Sequence, residues 1–247
     1  MNLFIVTKFD FINTIKNPFL VISNTILPMI TIGVLGSITE KSYGASNISS
    51  YDYYVITMLV YTCLLVSQIT VNAFMEKRIV EGNLRIMYSP TPKANIYFSK
   101  IISTFIYGVI GYVSVSLIEQ GIFKMNVGGS KYIYVLLIMT AFLFFSTCFG
   151  ACMCCLFRSE EVANKILSVI NLIFAAIGGV LFPIDNLGST IQKLSDISPM
   201  KWMIECVFGI IYDNDFSLFI PLIVALIVIS IVFIIVCQIT FKPEEYV

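Results

Sequence analysis

Long apolar runs alternate with short polar connections along the whole chain. Six runs approach the roughly 20 residues that a helix needs to cross a bilayer core. They are residues 19–38, 53–74, 101–118, 132–157, 166–182 and 218–241. The fifth is the shortest. At about 1.5 Å per residue it reaches roughly 26 Å, so it needs its flanks or a thinned bilayer to cross. The pattern predicts an all-α polytopic membrane protein in a single domain over residues 1–247. Its architecture is six transmembrane helices, an N-terminal interface helix, and a re-entrant outer hairpin between spans five and six.

The two additional elements come from stretches that break the pattern. In residues 1–17, at about 100° per residue, Phe4, Ile5, Phe9, Phe11, Ile12 and Ile15 fall within an arc of roughly 160°. Asn2, Asp10, Asn13 and Thr14 lie opposite. Lys8 intrudes on the apolar arc, where its stem can snorkel. Asn17-Pro18 then ends the helix. This predicts a helix lying in the membrane interface; the competing reading is a cap packed on its own bundle. In residues 183–216, Asp185, Asn186 and Gly188 open a short helix that Ser198-Pro199 interrupts. Residues 200–212 are then strongly apolar and carry the single Trp202. Such a stretch is too short to span and suits a re-entrant segment, buried in protein or lining a cavity. The competing reading is a plain external loop.

Composition agrees with a membrane protein: 58% of residues are hydrophobic and 12% charged, against about 25% charged in soluble domains. The 15 basic and 15 acidic residues cancel, so no global field attracts nucleic acid. Their placement sets orientation. With six spans, Lys8, Lys16, Lys77, Arg78, Arg85, Lys93, Lys100, Arg158, Lys165 and Lys242 share the side of the termini. Only Lys41, Lys124, Lys131, Lys193 and Lys201 lie opposite. The bias puts both termini in the cytoplasm of a cell's inner membrane. No basic n-region with a cleavage site precedes the first span, which is therefore expected to be retained.

Candidate chemistry is sparse. There is no His, so no His-based triad, haem ligand or zinc site. The seven Cys, with Cys148, Cys152, Cys154 and Cys155 clustered in one run, read as helix packing; no metal is expected. No phosphate-binding G-x4-G-K-[ST] loop is present, so nucleotide hydrolysis is not expected in this chain. Glu119 lies near the outer end of span three, where an interfacial carboxylate is the plain reading and a proton relay the alternative. Asn24, Gln68, Asn72 and Asn171 are polar residues within spans. They suit interhelical hydrogen bonds; Gln68, Asn72 and Asn171 are also weak candidates for a substrate path.

Three stretches resemble the ABC-2 type permeases, the membrane subunits of ABC exporters. The first is Glu76-Lys77-Arg78-Ile79-Val80-Glu81-Gly82-Asn83-Leu84-Arg85, with Ser89-Pro90 and Lys100 beyond it. The second is Gly178-Gly179-Val180-Leu181-Phe182-Pro183, followed by Ser198-Pro199-Met200-Lys201-Trp202. The third is Arg158-Ser159-Glu160-Glu161-Val162-Ala163-Asn164 before span five. The resemblance covers essentially the whole chain and is closest to the compact drug-export type.

It implies a permease subunit paired with a second permease, as homodimer or heterodimer, and with two copies of a separate ATPase that binds ATP and Mg. No cofactor is implied in the chain itself. Loop 76–100 would carry the coupling helix, with Glu76, Arg78, Glu81, Gly82, Asn83, Leu84 and Arg85 facing the ATPase. Gly178, Gly179, Pro183, Pro199 and Trp202 would belong to the re-entrant outer gate. Phe4, Phe9, Phe11, Ile12 and Ile15 would set the interface helix against lipid. The expected cargo is amphipathic or hydrophobic: a drug, an antimicrobial peptide or a lipid-like compound. Competing readings are an ion-coupled secondary carrier, which the lack of deep intramembrane charge disfavours, and a sensor or immunity protein that binds a toxin without pumping it.

Overall fold

The apolar runs form helices because a backbone surrounded by lipid or by other helices must satisfy its polar groups within its own segment. In the computed structural model, which describes residues 3–43, 48–75, 93–181 and 189–240, all regular structure among the described residues is helical. Helix α1 covers Leu3–Ile15 and α2 covers Pro18–Val21. A π-helical turn, Ile22–Ile26, leads into α3, Leu27–Tyr43. Then follow α4 (Ser50–Met75), α5 (Lys93–Gly121), a 3-10 turn (Gly129–Lys131), α6 (Tyr132–Phe157) and α7 (Glu160–Ile177). Helices α8 (Ser189–Ser195) and α9 (Pro199–Phe208), a second π-helical turn (Gly209–Asp213) and α10 (Phe219–Thr240) complete the chain.

Among the described residues, five segments are long and apolar enough to cross a membrane: Pro18–Glu40, Ser50–Met75, Ala94–Gly121, Gly129–Phe157 and Phe219–Thr240. The expected fifth span, 166–182, is not among them. Its helix begins at Glu160, and Glu161 and Lys165 extend a charged start that lowers its hydropathy. The third span also starts earlier than expected. Residues 93–100, read as the end of a cytoplasmic loop, form the first two turns of α5.

The helices run up and down around α4, whose side chains are the most completely buried of any span. The main core fills the bundle from Tyr53 through Phe142 to Met203 and Ile210. A smaller core at the other end joins Phe74, Ile96, Tyr97, Cys155, Leu167 and Cys237. That end carries α1, the start of α5, the α6–α7 turn and the end of α10; the opposite end carries α8 and α9. The α6–α7 turn is tight because Arg158 adopts a left-handed conformation (φ 53°), its N–H reaching Cys154 O, and Ser159 caps α7 through Val162 N. Asn17 caps α2 with Pro18 at its first turn, so α1 and α2 are separate helices as the sequence predicts.

Small residues let α4 and α6 touch. A Cβ at Gly150 would lie 2.1 Å from the Ser67 carbonyl oxygen. One turn away, Ser146 Oγ donates to Leu64 O at 2.8 Å. Close backbone approach of this kind is a main source of helix association in lipid. Gly150→Ala is expected to force these helices apart and cost about 1–3 kcal/mol, as overpacking does. Thermal unfolding in detergent checks this against Gly33→Ala, where no atom lies within 4 Å of the new methyl and no loss is expected.

Candidate functional site: a polar seam, an end hairpin and an inverted helix

On α7, Asn164, Ser168 and Asn171 recur at spacings of four and three and so share one helical face. That face meets Ser67, Gln68 and Asn72 of α4. Asn164 Nδ2 donates to Asn72 Oδ1 at 2.7 Å. Gln68 Nε2 donates to Ser168 Oγ at 2.7 Å. Asn171 Nδ2 donates to Ser67 Oγ at 3.3 Å. All three sequence candidates for a substrate path therefore lie in one seam, each already used in an interhelical hydrogen bond. The Oδ1 atoms of Asn164 and Asn171 are buried and have no hydrogen-bond partner. Ser168 is exposed, beside exposed Val169, Leu172 and Ile173. The seam thus reaches the flank of the bundle at Ser168, with the two unpartnered acceptors buried just behind it.

The seam continues to the hairpin end. Tyr53 Oη donates to Gly179 O, and Tyr54 Oη donates to Leu181 O at 2.9 Å. Ser198 Oγ donates to Phe174 O at 2.9 Å, tying the start of α9 to the last turn of α7. Gly178 permits this approach, since a Cβ there would lie 2.9 Å from both Met200 Cβ and Ser198 Oγ. Gly179 takes a left-handed φ of 81°. Pro199 opens α9 after an extended Ser198. Pro183 lies outside the described residues.

Helix α9 buries Met200, Met203, Ile204, Cys206 and Val207 against the main core. The segment is thus packed into the bundle and is not a loose external loop. Lys131, in the 3-10 turn before α6, pins the π-helical turn that follows α9, its Nζ donating to Ile210 O at 2.7 Å and Ile211 O at 3.2 Å. Trp202 lies at the rim, where its Nε1 donates to Asp196 O at 2.9 Å. Lys201 bridges Asp196 at 2.5 Å, and this hydrogen bond raises its ammonium above the ordinary lysine range. The raised direction means Lys201 keeps its charge through the ordinary lysine range, and the contact loses its cation only as pH climbs beyond it.

A small cavity lies beside the first π-helical turn, lined by Asn24, Thr62, Cys63, Gly108 and Tyr112 among others. Asn24 Oδ1 and Tyr112 Oη are buried there without a partner. Glu119 is buried as well, with Oε1 unpartnered, where the sequence suggested an interfacial position. All seven cysteines are buried. Among the described residues, no His, Cys, Asp and Glu group has metal-holding geometry.

Helix α1 is amphipathic as expected, but it docks through its polar side. Val6, Asp10 and Thr14 are buried, while Phe4, Ile5, Phe9 and Ile15 are exposed. Phe11 and Ile12 are half-buried at the edge. The docking partner is α5: Lys100 Nζ lies 2.5 Å from Asp10 Oδ1, with both side chains nearly inaccessible. Ser99 Oγ donates to Asp10 Oδ2 at 2.9 Å. Sequence reasoning missed this pair, because Lys100 read as a loop residue and Asp10 as part of a solvated face. Glu76, Arg78, Glu81, Gly82, Asn83, Leu84 and Arg85, expected to couple to the ATPase, lie outside the described residues.

Apolar helices of spanning length, joined by interhelical hydrogen bonds, define a polytopic membrane protein. A family model described as ABC-2 type transporter matches residues 1–212. The chain belongs to that family and is a transporter permease subunit, whose family implies an ABC transporter with an ATPase partner. No curated protein shows a significant match. For the seam, a double-mutant cycle of Asn72→Ala with Asn164→Ala is expected to return a coupling of about 0.6 kcal/mol, and no more than about 1.7 kcal/mol. Equilibrium unfolding in micelles measures it.

Proposed function

We propose that this chain is the permease of an ATP-driven exporter that moves an amphipathic or hydrophobic compound out across the inner membrane. The observation that carries the reading is the α4–α7 seam. A carrier of amphipathic cargo needs a few oriented polar groups in an otherwise apolar wall. The unpartnered Asn164 and Asn171 acceptors, beside the exposed apolar side chains of α7, supply that combination. A second permease, identical or different, would complete the pathway by facing this flank.

Six spans are supported by the register of α7 on α4. Their contacts run antiparallel from Asn164–Asn72 to Tyr53–Gly179. α7 and its exit therefore travel nearly the full length of a helix that qualifies as a span. Six crossings put both termini on the cytoplasmic side with the basic residues. The α8–α9 segment is then the re-entrant outer hairpin, and α1 the interface helix, its exposed phenylalanines in lipid.

In this reading two ATPase subunits hold ATP and Mg and act on Glu76–Arg85 of the loop between α4 and α5. Their closure shifts the permease pair between states through different contacts at that loop. A secondary carrier or a toxin-binding immunity protein would work without those subunits.

Purification from native membranes is expected to bring down a protein carrying a phosphate-binding loop. Glu81→Lys and Gly82→Pro should insert normally yet reduce substrate-stimulated ATP hydrolysis about 5- to 150-fold, the range of ordinary allosteric coupling. Undiminished stimulation in both variants would remove the coupling role of this loop.

A further inference from the structure

A helix with one apolar and one polar face ordinarily packs its apolar face inward. Helix α1 does the opposite. The stripe it turns toward the protein is Val6, Asp10 and Thr14, and the arc it turns away carries Phe4 and Phe9. One fully buried aliphatic residue, with Leu3, Phe11 and Ile12 only half-buried, is little reason to dock. The contact that favours docking is electrostatic: a carboxylate and an ammonium in direct contact, 5% and 1% exposed, with Ser99 on the second carboxylate oxygen. Removing one partner of such a pair leaves a buried uncompensated charge, which is strongly destabilising.

The place of the pair along the chain gives it a second consequence. Residues 76–92 lead directly into α5 at Lys93, and Lys100 follows two turns later, roughly 10 Å along the helix. The stretch of α5 fastened to α1 is therefore the stretch nearest the loop through which the ATPase is proposed to act. We infer that Asp10 and Lys100 are positioning residues: a buried charge latch that holds α1 on α5 with its apolar arc outward and makes α1 move with the loop between α4 and α5. The docking half stands on geometry alone; the movement half rests on the exporter reading.

The test places a reporter on the buried stripe of the full-length protein in membranes. Val6→Cys is reacted with N-ethylmaleimide, and the chain with Val6 intact gives the background of the seven buried native thiols. With the latch intact, this cysteine should react at least about tenfold more slowly than one at exposed, polar Asn13, since only the undocked population is labelled. Equal rates at the two positions would overturn the docking without any change to the pair.

Asp10→Asn and Lys100→Met should each raise labelling of Val6→Cys at least about tenfold. The double variant Asp10→Leu/Lys100→Met removes both charges of this pair and should fall back within about threefold of the parent, because paired sites are non-additive. Labelling unchanged in both single variants, or fully additive in the double, would overturn the latch. Size-exclusion profiles matching the parent show that the variants fold. In complex with the ATPase, the single variants should lose substrate-stimulated hydrolysis along with docking. Retained stimulation in a variant whose α1 is released would overturn the movement half. A parent protein with no stimulated hydrolysis at all would overturn the exporter reading and leave the docking result standing.

Discussion

Lipid tails are as apolar as leucine, so apolar surface alone gives these helices no reason to associate. What remains is close backbone approach, fitted packing and a small number of polar contacts, and the fold is organised by where those occur. α4 has all three: Gly150 against its backbone, the Ser67–Gln68–Asn72 row toward α7, and Tyr53 and Tyr54 reaching the exit of α7. It is accordingly the buried centre. α10 relies mainly on ring packing of Phe233 with Phe145 and Phe149, at centroid distances of 5.8 and 5.4 Å. It exposes most of its surface, with Ile220, Val224, Val228, Ile231 and Ile235 facing outward. The same constraint explains α1. Where lipid accepts an apolar face at no cost, the polar face needs the protein, and Asp10 finds Lys100.

This also sets what a sequence can reveal. A residue facing lipid and one facing the core are both apolar, so run length marks spans well and says little about which face packs where. Four of the expected spans match spanning helices to within a few residues. The third was placed late because a lysine near a span end reads as interfacial. Its partner, 90 positions earlier, leaves no local period to detect. The expected fifth run is not among the spanning segments; its helix starts earlier, at Glu160, where Glu161 and Lys165 make an exposed i,i+4 pair at 2.6 Å.

The polar seam was only half legible. Gln68, Asn72 and Asn171 stood out as polar residues in apolar runs, and the four-and-three spacing of Asn164, Ser168 and Asn171 was a readable stripe. Their pairing across two helices was not, because an antiparallel register follows from tertiary packing. Lys131 had no local signal either; it looked like one more outer lysine, yet it captures the carbonyls of Ile210 and Ile211. The reading of residues 200–212 as more than a loop did have a local basis. An apolar stretch bounded by Ser198-Pro199 and by charged residues has to bury itself somewhere, and it does so in the main core.

The two ends of α7 are held differently, and this bears on how the seam works. At the hairpin end, carbonyls of Phe174, Gly179 and Leu181 accept buried or part-buried hydroxyl donors from two other elements, and Gly178 is locked by the steric demands of Met200 and Ser198. At the α1 end, α7 begins beside a left-handed Arg158 with an exposed ion pair, a contact worth at most about 1 kcal/mol. The seam bonds between these ends are each worth about 0.6 kcal/mol by the same measure as other membrane hydrogen bonds. The α1 end of α7 is held chiefly by apolar packing, with Ala163 and Leu167 fully buried in the smaller core. The polar contacts of α7 are thus stronger toward α8 and α9 than along the seam.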